Sequence, residues 1–263
     1  MTDASHSPIA PSKVPAINTM QSTDIAYALR RGTADYWAKP MMGLFFSLIY
    51  VLGGWAIYIF VIVIDQIWWA IPITVGFPLL GPFLAVGLYE VSRRLEAGED
   101  WQRRDIFSVV WRQKDRQIPS MAWVIVVFFL FWTFFAHMLF ALFLGPSAMM
   151  NISSSYAYLF EPAGLTMVLV GTAFGAVFAL ILFSLTVISL PLLLDKELDF
   201  VTAMLTSLAV VRHNWVVMIS WGLIIATATF VGILTGFLGL FVVLPVLGHA
   251  SWHVYRRALT SRD

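Results

Sequence analysis

The sequence predicts an all-α, polytopic membrane protein: six transmembrane helices forming three repeated hairpins, each preceded by a cytoplasmic amphipathic helix. Three observations predict it. Of 263 residues, 60% are apolar and only 12% carry a fixed charge, against roughly 45–50% and 25% in soluble domains. Fixed charges are absent from five long runs, 40–64, 66–89, 117–160, 162–194 and 213–255. Threading those runs as six spans places every Lys and Arg on one side of the membrane.

Residues 1–22 are polar and interrupted by Pro8, Pro11 and Pro15, without the short apolar core of a signal peptide. They are expected to be a disordered cytoplasmic tail. A bilayer core about 30 Å thick takes roughly 20 helical residues, so the first two runs hold one span each, joined at Asp65, a solvated turn residue. The third holds a span near 121–144, followed by a polar stretch with Pro146, Asn151, Ser153, Ser154 and Ser155. The fourth holds a span near 163–190. The last is too long for one crossing, and Gly232, Gly236 and Gly239 mark a turn between spans near 215–234 and 237–255. The membrane domain is thus 23–258, with a short cytoplasmic tail at 259–263.

Orientation follows from the basic residues. Lys13, Arg30, Arg31 and Lys39, the seven bases of the 93–119 loop, Lys196 and Arg212, and Arg256, Arg257 and Arg262 share one face, while Asp65 and Glu161 lie on the other. An excess of Lys and Arg marks the cytoplasmic side, which predicts a multi-pass protein of the bacterial cytoplasmic (inner) membrane with both termini inside. Trp68 and Trp69 suit an outer interfacial belt, and Trp37, Trp123, Trp215 and Trp252 an inner one.

An internal repeat is also legible. Asp24, Asp105 and Asp199 each open a stretch whose apolar residues share one helical face, and each can cap a helix start. The second helix of each hairpin carries a proline: Pro82, Pro191, Pro245. Aligning the first and last superposes Glu90 on His253 and Arg93-Arg94 on Arg256-Arg257.

Candidate ligand- or partner-binding residues are Glu90, Arg93, Arg94, His249, His253, Trp252 and Tyr255. An acid near a membrane boundary is costly unless paired or hydrated. Glu90 is therefore either a proton, cation or partner site, or the partner of Arg93 or Arg94 one turn on. His249 and His253 are four apart on one face, as hydrogen-bonded structural histidines, a proton-sensitive pair, or two ligands of a metal or haem needing further donors. His137 and His213 are the imidazoles available as a second axial ligand, although His137 at bilayer depth is expected to bond a neighbouring helix. No catalytic constellation is legible, and neither a metal nor a cofactor is expected. Zero cysteines remove disulfides and thiolate sites, and the balance of 16 basic against 15 acidic residues gives no footprint for nucleic acid. Lipid is the expected partner, followed by other membrane proteins. Gly171 with Gly175, and Gly53 with Gly54, are close-packing signals.

The blocks Ala28-Leu29-Arg30-Arg31-Gly32, Tyr50-Val51-Leu52-Gly53-Gly54-Trp55, Gly81 to Arg94, Ser189 to Asp195 and Gly248 to Arg256 resemble, in order, those of a proteobacterial family of predicted integral membrane proteins, the domain of unknown function 2189. The resemblance runs over roughly 24–258 and implies a bacterial membrane protein without implying an activity. The leading expectation is a non-enzymatic accessory, assembly or scaffolding factor. The alternatives are a small-solute transporter or channel with a cytoplasmic polar vestibule and, third, a b-type haem protein.

Overall fold

The computed structural model describes residues 14–59, 63, 67–144 and 161–260, the side chains of 67–80 and 144 excepted. The helices are α1 (Ser22–Ala38), α2 (Pro40–Tyr58), α3 (Ile67–Ala97), α4 (Arg103–Arg112), α5 (Ile118–Leu144), α6 (Pro162–Thr186), α7 (Ser189–Asp195), α8 (Phe200–His213), α9 (Trp215–Leu234) and α10 (Leu240–Ala258). Two short strands, β1 (Ala16–Ile17) and β2 (Leu259–Thr260), pair antiparallel with Ala16 opposite Thr260.

Among the described residues, four helical stretches are long and apolar enough to cross a membrane: Pro40–Tyr58, Ile118–Phe143, Pro162–Asp195 and Trp215–Leu234. The two further expected crossings are not among these: the side chains of 67–80, in the first half of α3, lie outside the described residues, and α10 carries two histidines and two arginines in its second half. The described half of α3 carries Glu90, Arg93, Arg94 and Glu96, and α10 carries His249, His253, Arg256 and Arg257. Glu90, His249 and His253 are buried in the protein, whereas Arg93 and Arg94 are half-buried and Glu96, Arg256 and Arg257 are exposed. The expected solvated turn at Asp65, the outer Trp68 and Trp69 side chains and the polar stretch at 146–155 lie outside the described residues, as does 1–13 of the expected tail.

Residues 14–21 of that tail are placed. Besides the strand pairing, Met20 N donates to Asn214 Oδ1 at 2.8 Å and Asn214 Nδ2 to the Asn18 carbonyl at 2.9 Å. Polar, Pro-containing composition argued for disorder, but Asn214 supplies partners that composition cannot reveal.

The helix starts answer to the three aspartates, in two ways. Asp24 and Asp105 sit in the first turn of α1 and α4 and accept backwards from the Gln21 and Gln102 amides at 2.8 and 2.7 Å. Asp199 is itself the cap of α8, accepting from Thr202 N at 2.8 Å. Each satisfies amides that a helix start otherwise leaves unpaired. The expected turn near Gly236 separates α9 from α10, with Gly236 at φ 67° and Phe237 at φ 68°.

The core gathers where α1 lies along α10. A Cβ on Gly32 would stand 2.5 Å from Ala250 N and 2.7 Å from the Val246 carbonyl, so only glycine lets the two backbones approach this closely. Around this crossing, Ile25, Ala28, Leu192, Ala203, Val210, Trp221, Trp252 and Val254 form the main buried cluster. A second cluster joins α2, α3 and α4 through Met42, Phe46, Leu84, Leu88, Val91 and Ile106.

Pro191 breaks the helix that would otherwise join α6 to α7, since it has no N–H and its ring collides with the preceding turn. Ser207 of α8 repairs the break. Its hydroxyl donates to the Ser184 carbonyl at 2.7 Å and accepts from Ile188 N at 3.2 Å, entering the ladder where Ile188 would have bonded Ser184 directly.

Two substitutions test this packing. Gly32→Val pushes α1 off α10 and is expected to lower stability by about 1–3 kcal/mol, whereas Gly171→Ala, whose Cβ meets nothing within 4 Å, costs nothing measurable. Ser207→Ala strands a buried carbonyl and amide and is expected to cost about 1–3 kcal/mol. Thermal unfolding in detergent micelles reads all three.

Candidate functional site

The stripe of α1 that faces α10 reads Ile25, Ala28, Gly32, Asp35, a spacing of three, four and three that puts an acid on the buried face. Gly32 and Ala250 are in contact, and three residues beyond each stand Asp35 and His253. His253 Nε2 lies 2.7 Å from Asp35 Oδ2. Ser92 of α3 donates to the same carboxylate oxygen at 2.7 Å, and its hydroxyl lies 2.8 Å from His249 Nδ1. Three helices thus converge on one carboxylate, sealed from solvent: Asp35 is 4% exposed, Ser92 and His249 0% and His253 2%.

Donor and acceptor bookkeeping assigns the protons. A carboxylate only accepts, so Ser92 spends its hydrogen on Asp35 and accepts from His249 Nδ1–H, while His253 donates from Nε2. His249 Nε2 is then a lone-pair nitrogen, without a hydrogen-bond partner among the described residues. The residue types are those of a hydrolytic triad, but the direction is reversed: the serine proton points at the acid, leaving no base to take it from a nucleophile. Burial alone would raise the Asp35 carboxyl; the hydrogen bonds from His253 and Ser92 outweigh it and hold the group below its ordinary 3.8.

Glu90, two residues before Ser92 on α3, belongs to a second knot. Its carboxylate accepts from Arg93 Nε at 2.7 Å, Arg93 Nη2 at 2.9 Å and Arg94 Nε at 2.5 Å, and Glu99 closes on Arg93 at 3.1 Å. Its oxygens are thereby engaged by the two neighbours on its own helix. Trp252, expected in an interfacial belt, is instead buried. Its indole N–H needs an acceptor when withdrawn from water, and Glu96 supplies it at 2.9 Å. Tyr255 donates to Asp195 at 2.7 Å and Arg257 to Asp24 at 2.7 Å. The seven expected site residues therefore divide. His249 and His253 meet at the buried centre, Glu90, Arg93 and Arg94 form a separate ion cluster, and Trp252 and Tyr255 point to other partners.

Asp35 and Ser92 were missed by reasoning that looked for charge inside apolar runs. The signal for Asp35 was its place on the α1 stripe; Ser92 carried none, lying between a buried valine and two arginines. His137 bonds the Thr133 carbonyl of its own helix at 2.7 Å instead of a neighbouring helix, and His213 meets Thr19 at 3.0 Å, so neither pairs with His249. Among the described residues, no three His, Asp or Glu side chains come together to hold a metal ion.

The pH dependence has a definite sign. A folded carboxyl with a depressed pKa contributes stability that is present above its unfolded value and lost as pH falls through the folded one. Wild-type stability is therefore expected to drop as pH falls below 3.8, and Asp35→Asn is expected to remove that segment while costing a few kcal/mol at neutral pH. Chemical unfolding of the two proteins in micelles between weakly acidic and neutral pH, extended below the carboxyl range, measures both.

No curated protein and no solved structure matches the chain. Residues 70–195 match the model of a family described as predicted integral membrane protein (DUF2189). The match spans α3 to α7, including Glu90, Ser92, Arg93 and Arg94 but not Asp35, His249 or His253. It bears out the resemblance over the blocks Gly81 to Arg94 and Ser189 to Asp195: this is an integral membrane protein with several apolar helices, related over that stretch to a family of unknown function.

Proposed function

We propose that the chain is a six-span protein of the bacterial cytoplasmic membrane, built from three hairpins with both termini inside, and that its role is non-enzymatic. It serves as an accessory, assembly or scaffolding factor that engages other membrane components through its outer faces. One observation carries the non-enzymatic reading. The candidate chemical groups are buried and joined to one another, so they fasten helices instead of facing a substrate.

The polar links support the topology. Asp24 meets Arg257, Asp35 meets Ser92 and His253, Glu96 meets Trp252, Arg116 meets Glu197 and Asp195 meets Tyr255. All these residues therefore belong to one end of the molecule. Between them the chain leaves and returns over 39–89 and 117–194, each long and apolar enough for two crossings, and over 215–248, where the apolar helix Trp215–Leu234 leads out and α10 leads back. Strand pairing of Ala16–Ile17 with Leu259–Thr260 supports a common side for both flanking segments, as an even number of crossings requires. The matched helix starts at Asp24, Asp105 and Asp199 fit interfacial helices entering each hairpin.

The transporter reading has one feature in its favour, the broken α6–α7 helix, since discontinuous helices frame many transport sites. The break is already satisfied by Ser207, and the 580 Å³ groove between α5 and α6 is lined by Trp132, Phe140, Gly171 and Gly175, without Glu90, His249 or His253. The scaffold reading is therefore preferred.

Gentle crosslinking in native membranes is expected to join the chain to other membrane proteins; recovery of the chain alone would overturn the role. A periplasm-active reporter fused after Ser154 is expected to give signal and one after Gln113 to give none. The converse result would overturn the orientation.

A further inference from the structure

A pocket of about 470 Å³ opens between the start of α2 and the loop entering α4, lined by Lys39, Pro40, Met41, Trp101, Gln102 and Arg103 among others. Its lining contains two cations and no carboxylate. Among the described residues neither Lys39 nor Arg103 has an ion-pair partner, whereas Arg93, Arg94, Arg116, Arg256 and Arg257 all do. The Lys39 ammonium lies 5.0 Å from the Trp101 ring centroid, a cation–π contact that holds the charge beside the pocket. Gln102, the residue before α4, lines the same space, its amide already engaged by Asp105 in the first turn of α4.

The apolar side of the pocket is what selects the anion. Met41 begins an exposed row on α2 that continues through Phe45, Leu48 and Leu52, spaced four, three and four apart. From Met41 to Leu52 the helix rises roughly 16 Å, close to half of a bilayer core about 30 Å thick. Beside it, α4 anchors by its buried Ile106 while presenting exposed Phe107, 4.9 Å from the Phe45 ring, and exposed Trp111. A cationic pocket at the head of a leaflet-long apolar row has the shape of a phospholipid, polar end first. A free phosphate would use the pocket and leave the row unexplained.

We propose that this pocket binds the headgroup phosphate of an anionic phospholipid, with Lys39 and Arg103 as the cations and an acyl chain along Met41, Phe45, Leu48 and Leu52. The site rests on the interfacial placement of α4 given above, but not on the role assigned to the protein. The test is lipid retention by the purified full-length chain in detergent, titrated with phosphatidylglycerol or phosphatidylcholine and read by native mass spectrometry. Wild type is expected to prefer phosphatidylglycerol, and the Lys39→Gln/Arg103→Gln variant to lose about fivefold in affinity for each cation removed. A charge-preserving Lys39→Arg/Arg103→Lys variant keeps the preference, as does Arg30→Gln/Arg212→Gln, which neutralises two exposed bases outside the pocket. Absence of preference in wild type, an equal loss in the Arg30/Arg212 control, or displacement by millimolar inorganic phosphate would each overturn the proposal. Reversed reporter signals would sink the topology separately, since retention in detergent does not depend on which side the loop faces.

Discussion

A carboxylate withdrawn from water is tolerable only when donors from elsewhere replace its hydration, and the arrangement of this molecule turns on how that condition is met at Asp35. The donors come from two other helices, Ser92 on α3 and His253 on α10. His253 reaches it because α1 lies almost in backbone contact with α10, which Gly32 against Ala250 permits. The small residue and the acid are therefore one device, three positions apart on α1. It binds a helix near the beginning of the chain to one near its end, and β1 with β2, and Asp24 with Arg257, close the same seam at its edge.

The same physics accounts for the rest of the polar chemistry. Lipid gives little driving force for helices to associate, so close backbone approach and interhelical hydrogen bonds must supply it. Ser207 shows this at its sharpest, restoring both sides of a ladder rung that Pro191 disturbs, from a different helix. Buried Trp252 on Glu96 and Tyr255 on Asp195 work likewise, each an amphipathic side chain whose polar tip ends on an acid of another element. In contrast, α5 and α6 meet mainly through rings, Phe135 against Phe174 at 4.9 Å and Trp132 against Phe178 at 5.5 Å. Polar fastening is dense around Asp35, Glu96 and Asp195 and sparse between α5 and α6, while single bonds such as Trp55 Nε1 to the Gly236 carbonyl at 2.8 Å tie other helices together.

What could be read in the sequence was what depends on spacing along one chain segment. The apolar runs, the helix starts at Asp24, Asp105 and Asp199, the turn near Gly236, and the engagement of Glu90 by Arg93 and Arg94 are all local: each involves residues within a few turns. What could not be read was long-range pairing. Asp35 and His253 are separated by most of the chain, and the residue one would have paired with His249 from spacing alone, His253, turns out to share with it only a common neighbourhood built by Asp35 and Ser92. The order of residues 14–21 is equally non-local, because a two-residue strand has no periodicity and its partner lies at 259–260. Trp252 illustrates the limit for composition rules. A tryptophan near a span boundary suits an interfacial belt, yet an acid on a facing helix suffices to draw it inside.

The direction of one hydrogen bond bears on function more than the identity of the residues making it. Serine, histidine and aspartate in contact invite a catalytic reading, but activation requires the imidazole to accept the serine proton while the acid orients the imidazole. Here the acid takes the serine proton itself, and each histidine acts as a donor toward the acid, directly or through Ser92. Every hydrogen in the cluster points toward the one negative group, the pattern expected where a buried charge is being stabilised. Such a centre resists motion of α1 relative to α3 and α10, since sliding by one residue would strand all its bonds together. A rigid end of this kind suits a protein that presents fixed surfaces to lipid and to neighbours, and it leaves exposed cations, Lys39 and Arg103 among them, rather than the buried histidines, to meet something outside the chain.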